Sequence, residues 1–329
     1  PDSKVGPDGG LAPRYDVSNY AVSYTTTDKN GALVAATGLI SVPVKAKGAR
    51  SPVLSYQHAT TFKNSEAPSL KVQAVEPPIV LSSLGYIVVS ADYVGFGSTL
   101  GMDHPYLTST PSANSVIDLL TAAETWRWQQ GVGDNGQLFL AGYSEGGYVT
   151  MAAQRDIQRA GGTLAKQLQA TVPGAGPYDV QVTLDVLLSR LPSSLQGLFK
   201  PSNLRDAPEW MRNEIRRFLL SQLLPGDADV VYQTLFIDRY LADDKAAIAA
   251  EHSVYLNWAP QVPTYLFHGK DDQTVPYAAS LSALQTLKAA GATDISLTDC
   301  TTGDLGHLKC VPEYFEFAVG KMGKLARNL

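Results

Sequence analysis

The residues whose types and spacing could do chemistry begin with Gly142-Tyr143-Ser144-Glu145-Gly146-Gly147. A bare G-x-S-x-G is a weak signal, but here an apolar run, QLFLAGY (137–143), precedes it and a helix-forming run follows. That context places Ser144 on a tight strand-to-helix turn, where a serine can be held exposed and strained. The positions two before and two after it must be small, because strand and helix approach closely there. The backbone N–H of Glu145 would then point to where negative charge collects on an attacked carbonyl. A glycine-rich turn with no chemistry is the bland alternative.

A serine hydroxyl is a poor nucleophile without a base. Five histidines are available: His58, His104, His252, His268 and His307. His307 follows ISLTDC (295–300), which reads as the last strand, and lies in the loop TTGDLGHLKC. His268 ends a strand before a glycine and reads as structural. An acid to orient the base is offered by YLFHGKDDQTVP (265–276), in which Gly269, Asp272, Val275 and Pro276 fit G-x-x-D-x-x-V-P. Asp272 is therefore the expected acid and Asp271 the alternative. The chain order Ser144, Asp272, His307 is that of the α/β-hydrolase fold, and not that of the other serine-triad folds. A second oxyanion donor is expected from SYQHATTF (55–62), through the Thr60 N–H, with Thr61 as runner-up. The loop Asp92-Tyr93-Val94-Gly95-Phe96-Gly97-Ser98 has the D-x-x-G-x-G-x form that would shape a pocket floor.

Cys300 and Cys310, the only cysteines, bracket His307 with nine residues between them. A bond between them would pin the loop that carries the base and suit an exported protein; two buried free thiols are the alternative. The spacing fits no common zinc pattern.

The elements that must position these groups follow from periodicity. AVSYTTT (21–27) and ALVAATGLISVPV (32–44) read as an antiparallel pair turning near Lys29-Asn30-Gly31. VLSYQ (53–57), YIVVSAD (86–92), QLFLAGY (137–143), LQATVPGAG (168–176) and PTYLFHG (263–269) are apolar on both faces, as strands of a covered parallel sheet are. Helices are expected over 112–130, with Ser112 as N-cap and Val116, Leu119, Leu120, Ala123 and Trp126 on one stripe, and over 146–161 and 279–291. Strands alternating with helices imply an α/β fold with a mostly parallel central sheet and helices on both faces. The rhythm fails over 178–258, which holds amphipathic pieces such as 182–191 and 209–224 and no convincing strand. This predicts a core of residues 1–177 and 259–329 with an inserted helical cap over 178–258; two extra helices on the sheet edge are the alternative.

Bulk composition narrows the classes. The 329 residues suit one large α/β domain with an insertion, and 44% hydrophobic residues allow a sizeable core. The net charge is −5 with no basic stripe, which argues against nucleic acid, and no apolar run reaches membrane-span length, which argues against stable membrane insertion. The opening PDSKVGPDGG lacks a signal-peptide pattern, so any such signal would precede residue 1.

With these residues assembled, the sequence resembles the secreted lipases and esterases related to fungal lipase A, and more closely their bacterial relatives, some of which degrade plant cell walls. The segments that carry the resemblance are 55–62, GYIVVSADYVGFG (85–97), HPYL (104–107), GYSEGGYVTMAAQRDI (142–157), GAGPYD (174–179), 258–276 and LGHLKC (305–310). His58-Ala59 departs from the His-Gly or acidic residue usual there. The resemblance implies an α/β-hydrolase with a helical lid, export, and no metal or organic cofactor. The expected activity is hydrolysis of short-to-medium acyl esters, small or polymer-borne, through an acyl-enzyme. The sequence leaves two rivals open. A serine aminopeptidase of the same fold could bind a substrate amine through Glu209, Glu214 or Glu251. A silent binding protein on the same scaffold would be expected to have lost part of the triad.

Overall fold

The computed structural model describes residues 11–191, 201–224, 228–301 and 306–329. Eight strands form one sheet in the order β1-β2-β4-β3-β5-β6-β7-β8. These are β1 (Val17–Thr27), β2 (Leu33–Pro43), β3 (Arg50–Gln57), β4 (Ile87–Ala91), β5 (Gly133–Tyr143), β6 (Leu168–Gly174), β7 (Thr264–His268) and β8 (Ile295–Asp299). β1 pairs antiparallel with β2, and β2 antiparallel with β4; every other pairing is parallel.

The apolar runs work because alternate side chains enter two separate cores. Val53 of β3, Ile87 and Val89 of β4, and Leu138 and Leu140 of β5 face one layer. Leu54 and Tyr56, Val88, and Phe139 and Ala141 face the other. Helices α2 (Ser109–Gln130), α3 (Glu145–Ala160) and α8 (Tyr277–Ala289) cover the first layer, and α1 (Pro77–Ser83) and α9 (Val311–Gly323) the second. A strand buried on both faces needs no polar alternation, which is why these runs read as continuous.

Helix α2 carries the expected stripe, with Val116, Leu119, Leu120 and Ala123 buried. It starts earlier than expected, however. Its N-cap is Thr108, and Ser112 is a buried residue inside the helix. Pro111 explains the difference: proline is tolerated in a first helical turn, where its missing N–H has no intrahelical partner anyway.

Between β6 and β7 the described residues form no strand, only an isolated bridge between His104 and Tyr232. The short α4 (Gly162–Gln167) lies just before β6; the segment after β6 contains α5 (Val180–Leu188), α6 (Glu209–Leu223) and α7 (Leu235–Leu241). α6 buries Met211, Ile215, Leu219 and Leu223, one residue per turn, in the same core as Leu184 and Leu187 of α5 and Phe236 and Ile237 of α7, the two helices it packs on. Its opposite face is polar, with Arg217 paired to Glu214 in solvent. Stability of α6 should therefore rest on the stripe. Ile215→Ala is expected to cost about 2–5 kcal/mol, and Arg217→Ala no more than about 0.5 kcal/mol. Denaturant melts of the two variants check this; similar losses would show that α6 is not held by its apolar face.

Candidate active site

The strand order reverses between β3 and β5: β4 lies to one side of β3, and β5 and β6 to the other. In such sheets a crevice opens at the carboxyl ends of the two strands flanking the reversal. Ser144 follows β5 there, and the 58–61 loop follows β3.

Ser144 has φ 61° and ψ −124°, a conformation a side-chain-bearing residue rarely adopts. Its N–H donates to the Gly174 carbonyl of β6 at 2.9 Å, and its own carbonyl accepts the Tyr148 N–H at 3.1 Å. Close packing holds the turn. A methyl group on Gly142 would sit 2.6 Å from the Gln57 oxygen of β3, one on Gly146 would overlap that same oxygen, and one on Gly147 would overlap the Gly174 oxygen. The turn is thus wedged between β3 and β6 with no room for a Cβ at these three positions. As the first residue of α3, Glu145 has an N–H without an intrahelical acceptor. Neither it nor the Thr60 N–H donates a hydrogen bond among the described residues.

Ser144, Asp272 and His307 come together. The Ser144 Oγ lies 2.7 Å from His307 Nε2, and His307 Nδ1 lies 2.6 Å from Asp272 Oδ2. Asp271, the alternative acid, is exposed, whereas Asp272 is 3% exposed. The other Asp272 oxygen accepts the N–H groups of Thr274 and Val275 at 2.8 and 2.9 Å. Burial alone would raise this carboxyl's pKa, but the hydrogen bonds from His268 and His307 outweigh it and hold the group well below the ordinary range. An ionised Asp272 therefore adds stability at neutral pH. That contribution fades as pH falls from about 3.9, the unfolded value, toward the depressed folded one.

His268 is more than a strand-end residue. It is fully buried, with Nε2 3.2 Å from Asp272 Oδ2 and 2.9 Å from the Val275 carbonyl, so that nitrogen carries the proton. Its Nδ1 then accepts from the Ser280 hydroxyl at 2.7 Å. Sequence reading missed this contact, although the spacing of four residues from Asp272 was visible. It also missed Tyr143, whose hydroxyl donates to the His307 carbonyl at 2.8 Å, and the buried pair of Glu145 and His104.

The His307 loop has a second anchor. Cys300 and Cys310 form a disulfide with Cα atoms 6.0 Å apart, closing the loop at the ends of β8 and α9. Residues 302–305 of that loop lie outside the described residues. On the β3 side, His58 stacks on Tyr93 with ring centroids 4.1 Å apart and contacts the Ala59 and Asp92 carbonyls at 2.8 and 3.2 Å. Burial pushes its pKa down. Asp92 is fully buried and accepts from the Ser69 N–H at 2.8 Å and the Thr37 hydroxyl at 2.7 Å, so it braces the loop from below. Thr61 uses its carbonyl to accept from Tyr232.

This sheet and turn define an α/β-hydrolase, and the chain belongs to the alpha/beta hydrolase family, whose model matches residues 72–312. Among solved structures, it is similar to a protein of Legionella pneumophila assigned as a hydrolase, at 25% identity and TM-score 0.75 over 97% of this chain and 91% of that one. It is similar to the rice cell wall degrading esterase LipA from Xanthomonas oryzae, at 23% identity and TM-score 0.72 over 96% and 93%. Candida antarctica lipase A, at 19% identity and TM-score 0.58 over 89% and 74%, shares the fold. No curated protein matches.

The disulfide has a measurable consequence. Reduction, or Cys300→Ser with Cys310→Ser, is expected to cost about 2.5–3 kcal/mol by the loop-entropy relation. Thiol titration of the unfolded, unreduced chain should find no free thiol; two free thiols, or an unchanged melt on reduction, would contradict the pairing.

Proposed function

We propose that this protein is a serine hydrolase of carboxylic esters, with Ser144 as nucleophile, His307 as general base and acid, and Asp272 as the group that orients the imidazole. The observation that carries this reading is the continuous relay from Asp272 Oδ2 through His307 to Ser144 Oγ, at 2.6 and 2.7 Å, on a serine held at positive φ. Ser144 Oγ attacks the ester carbonyl carbon while His307 Nε2 takes the hydroxyl proton. The tetrahedral oxyanion is held by the N–H groups of Glu145 and Thr60. The C–O bond to the alcohol breaks as His307 returns the proton to the departing oxygen. Water, deprotonated by the same nitrogen, then attacks the acyl-enzyme, and the acid leaves with Ser144 restored.

Residues 178–258 serve as a cap over the crevice in this reading, and the substrates are soluble short-to-medium acyl esters, small or polymer-borne. The charged outer face of α6 supports this. Arg216 pairs with Asp238 and Arg217 with Glu214, while Leu187, Leu188 and Leu219 are consumed in packing. A lid built to lie on oil would expose such residues. Export fits the disulfide. No helix among the described residues is long and apolar enough to cross a membrane. The aminopeptidase alternative is disfavoured by its own candidates: Glu251 is engaged by Arg239 at 3.1 Å and Glu214 by Arg217 at 3.2 Å, while Glu209 is exposed.

Initial rates on acetyl, butyryl, octanoyl and palmitoyl nitrophenyl esters, a triglyceride emulsion and an aminoacyl anilide test the reading. The shorter esters should react fastest, and Ser144→Ala should abolish turnover without unfolding. Highest activity on the emulsion would make the protein an interfacial lipase, and highest activity on the anilide a peptidase. Asp272→Asn should lower kcat by about 10⁴, since the amide holds the imidazole in the wrong tautomer. Asp271→Asn should leave kcat nearly unchanged; equal losses would remove Asp272 from its role.

A further inference from the structure

Glu145 follows the nucleophile, yet its side chain is 3% exposed. A buried carboxylate at this point costs desolvation that an apolar residue would not. Its Oε1 lies 2.5 Å from Nε2 of His104, itself 2% exposed. The other His104 nitrogen, Nδ1, lies 2.9 Å from the Val94 carbonyl and must donate to it. The Nε2–Oε1 contact therefore shares one proton, and it is a hydrogen bond whichever partner holds it. The rings of Tyr93, Phe96, Tyr106 and Tyr232 surround the imidazole, with centroids 5.2–6.1 Å away.

The backbone of His104 is clamped from outside. Its N–H donates to the Val231 carbonyl at 2.7 Å, and its carbonyl accepts the Gln233 N–H at 2.9 Å. Between those contacts, the Tyr232 phenol donates to the Thr61 carbonyl. Three residues before Tyr232 in this strap, the Asp229 N–H donates to the Phe62 carbonyl at 3.0 Å, and Asp229 Oδ1 accepts the Asn64 N–H at 2.7 Å. Residues 229–233 thus reach both sides of the crevice: the loop that supplies Thr60, and, through His104, the side chain of Glu145.

We propose that His104 and Tyr232 are positioning residues of the oxyanion hole, through which the seating of residues 229–233 sets the placement of the Glu145 and Thr60 N–H donors. This rests on the ester-hydrolase reading above. The hole is complete when the strap is seated and loosens when it lifts. His104 acts only through Glu145 and touches no substrate. Its Nε2 contact is the link, so the pair should tolerate replacements that keep a donor or acceptor at that point.

The test uses the full chain with nitrophenyl butyrate as substrate and an alkyl trifluoromethyl ketone as inhibitor; the latter forms a tetrahedral adduct whose oxyanion occupies the hole. His104→Asn can keep the Val94 contact but not the one to Glu145, and Glu145→Leu removes it from the other side. Both should lower kcat by about 10–100-fold with KM within about threefold, because a displaced donor is felt in the transition state. The ketone Ki should rise by the same factor. His104→Gln and Glu145→Gln, which can restore the contact, should stay within about fivefold of wild type, and Tyr232→Phe should lose about 3–10-fold in kcat. If His104→Asn and Glu145→Leu fold but keep kcat and Ki within about threefold, or if only KM changes, the proposal is wrong. Should either fail to fold, Tyr232→Phe decides by the same two readouts. Wild-type protein without ester turnover would instead sink the underlying reading, and this proposal with it.

Discussion

The turn after β5 is packed so closely between β3 and β6 that Gly142, Gly146 and Gly147 have no space for a side chain. Backbone held that tightly cannot relax, and this keeps Ser144 at positive φ with its hydroxyl turned out of the sheet edge. The rest of the crevice is placed relative to that wedge. β3 packs on the start of α3, where a methyl group on Gly146 would meet the Gln57 and His58 carbonyls. β6 accepts the Ser144 N–H, and β7 and β8 extend the sheet far enough to bring Asp272 and His307 to the same edge.

A relay of hydrogen bonds works only if its orientation is fixed before substrate arrives, because reorganisation would otherwise be charged against the reaction. The protein fixes it redundantly. Asp272 is held by two backbone N–H groups and by His268 as well as by His307. His307 is held at its ring by Asp272, at its carbonyl by Tyr143, and through its loop by the disulfide. His268 thus supplies Asp272 with a second partner that stays in place when the imidazole of His307 moves its proton. That is why the carboxyl remains ionised despite deep burial.

Much of this was legible in the sequence because it depends on local rules. Strands buried on both faces read as unbroken apolar runs, and all eight appear where such runs or alternating patterns stand. Ser144 and Asp272 are each announced by a turn motif and His307 by its place after the last strand, and the structure brings these three together. The start of helix α2 is not legible in the sequence, because Pro111, which suggests a boundary, sits inside the first turn. The second partner of Asp272, His268, and the partner of Glu145, His104, are hidden for a different reason. A buried acid announces that it needs a partner but not which one. The His104–Glu145 contact spans 41 positions and depends on how the β4–α2 connection folds over the crevice. The same holds for Tyr232, whose segment shows no periodicity because it is tied by single backbone bonds and not by a ladder.

The central claim is that Ser144 is the one nucleophile and is activated by this relay. Stoichiometric reaction with a fluorophosphonate, followed by proteolysis and mass mapping of the adduct, tests it most directly. One phosphonyl group per chain is expected, on the peptide that contains Ser144, forming at a rate that collapses in His307→Ala. Ester turnover that persists with no adduct on Ser144, or an adduct on another residue that accounts for the loss of activity, would contradict it.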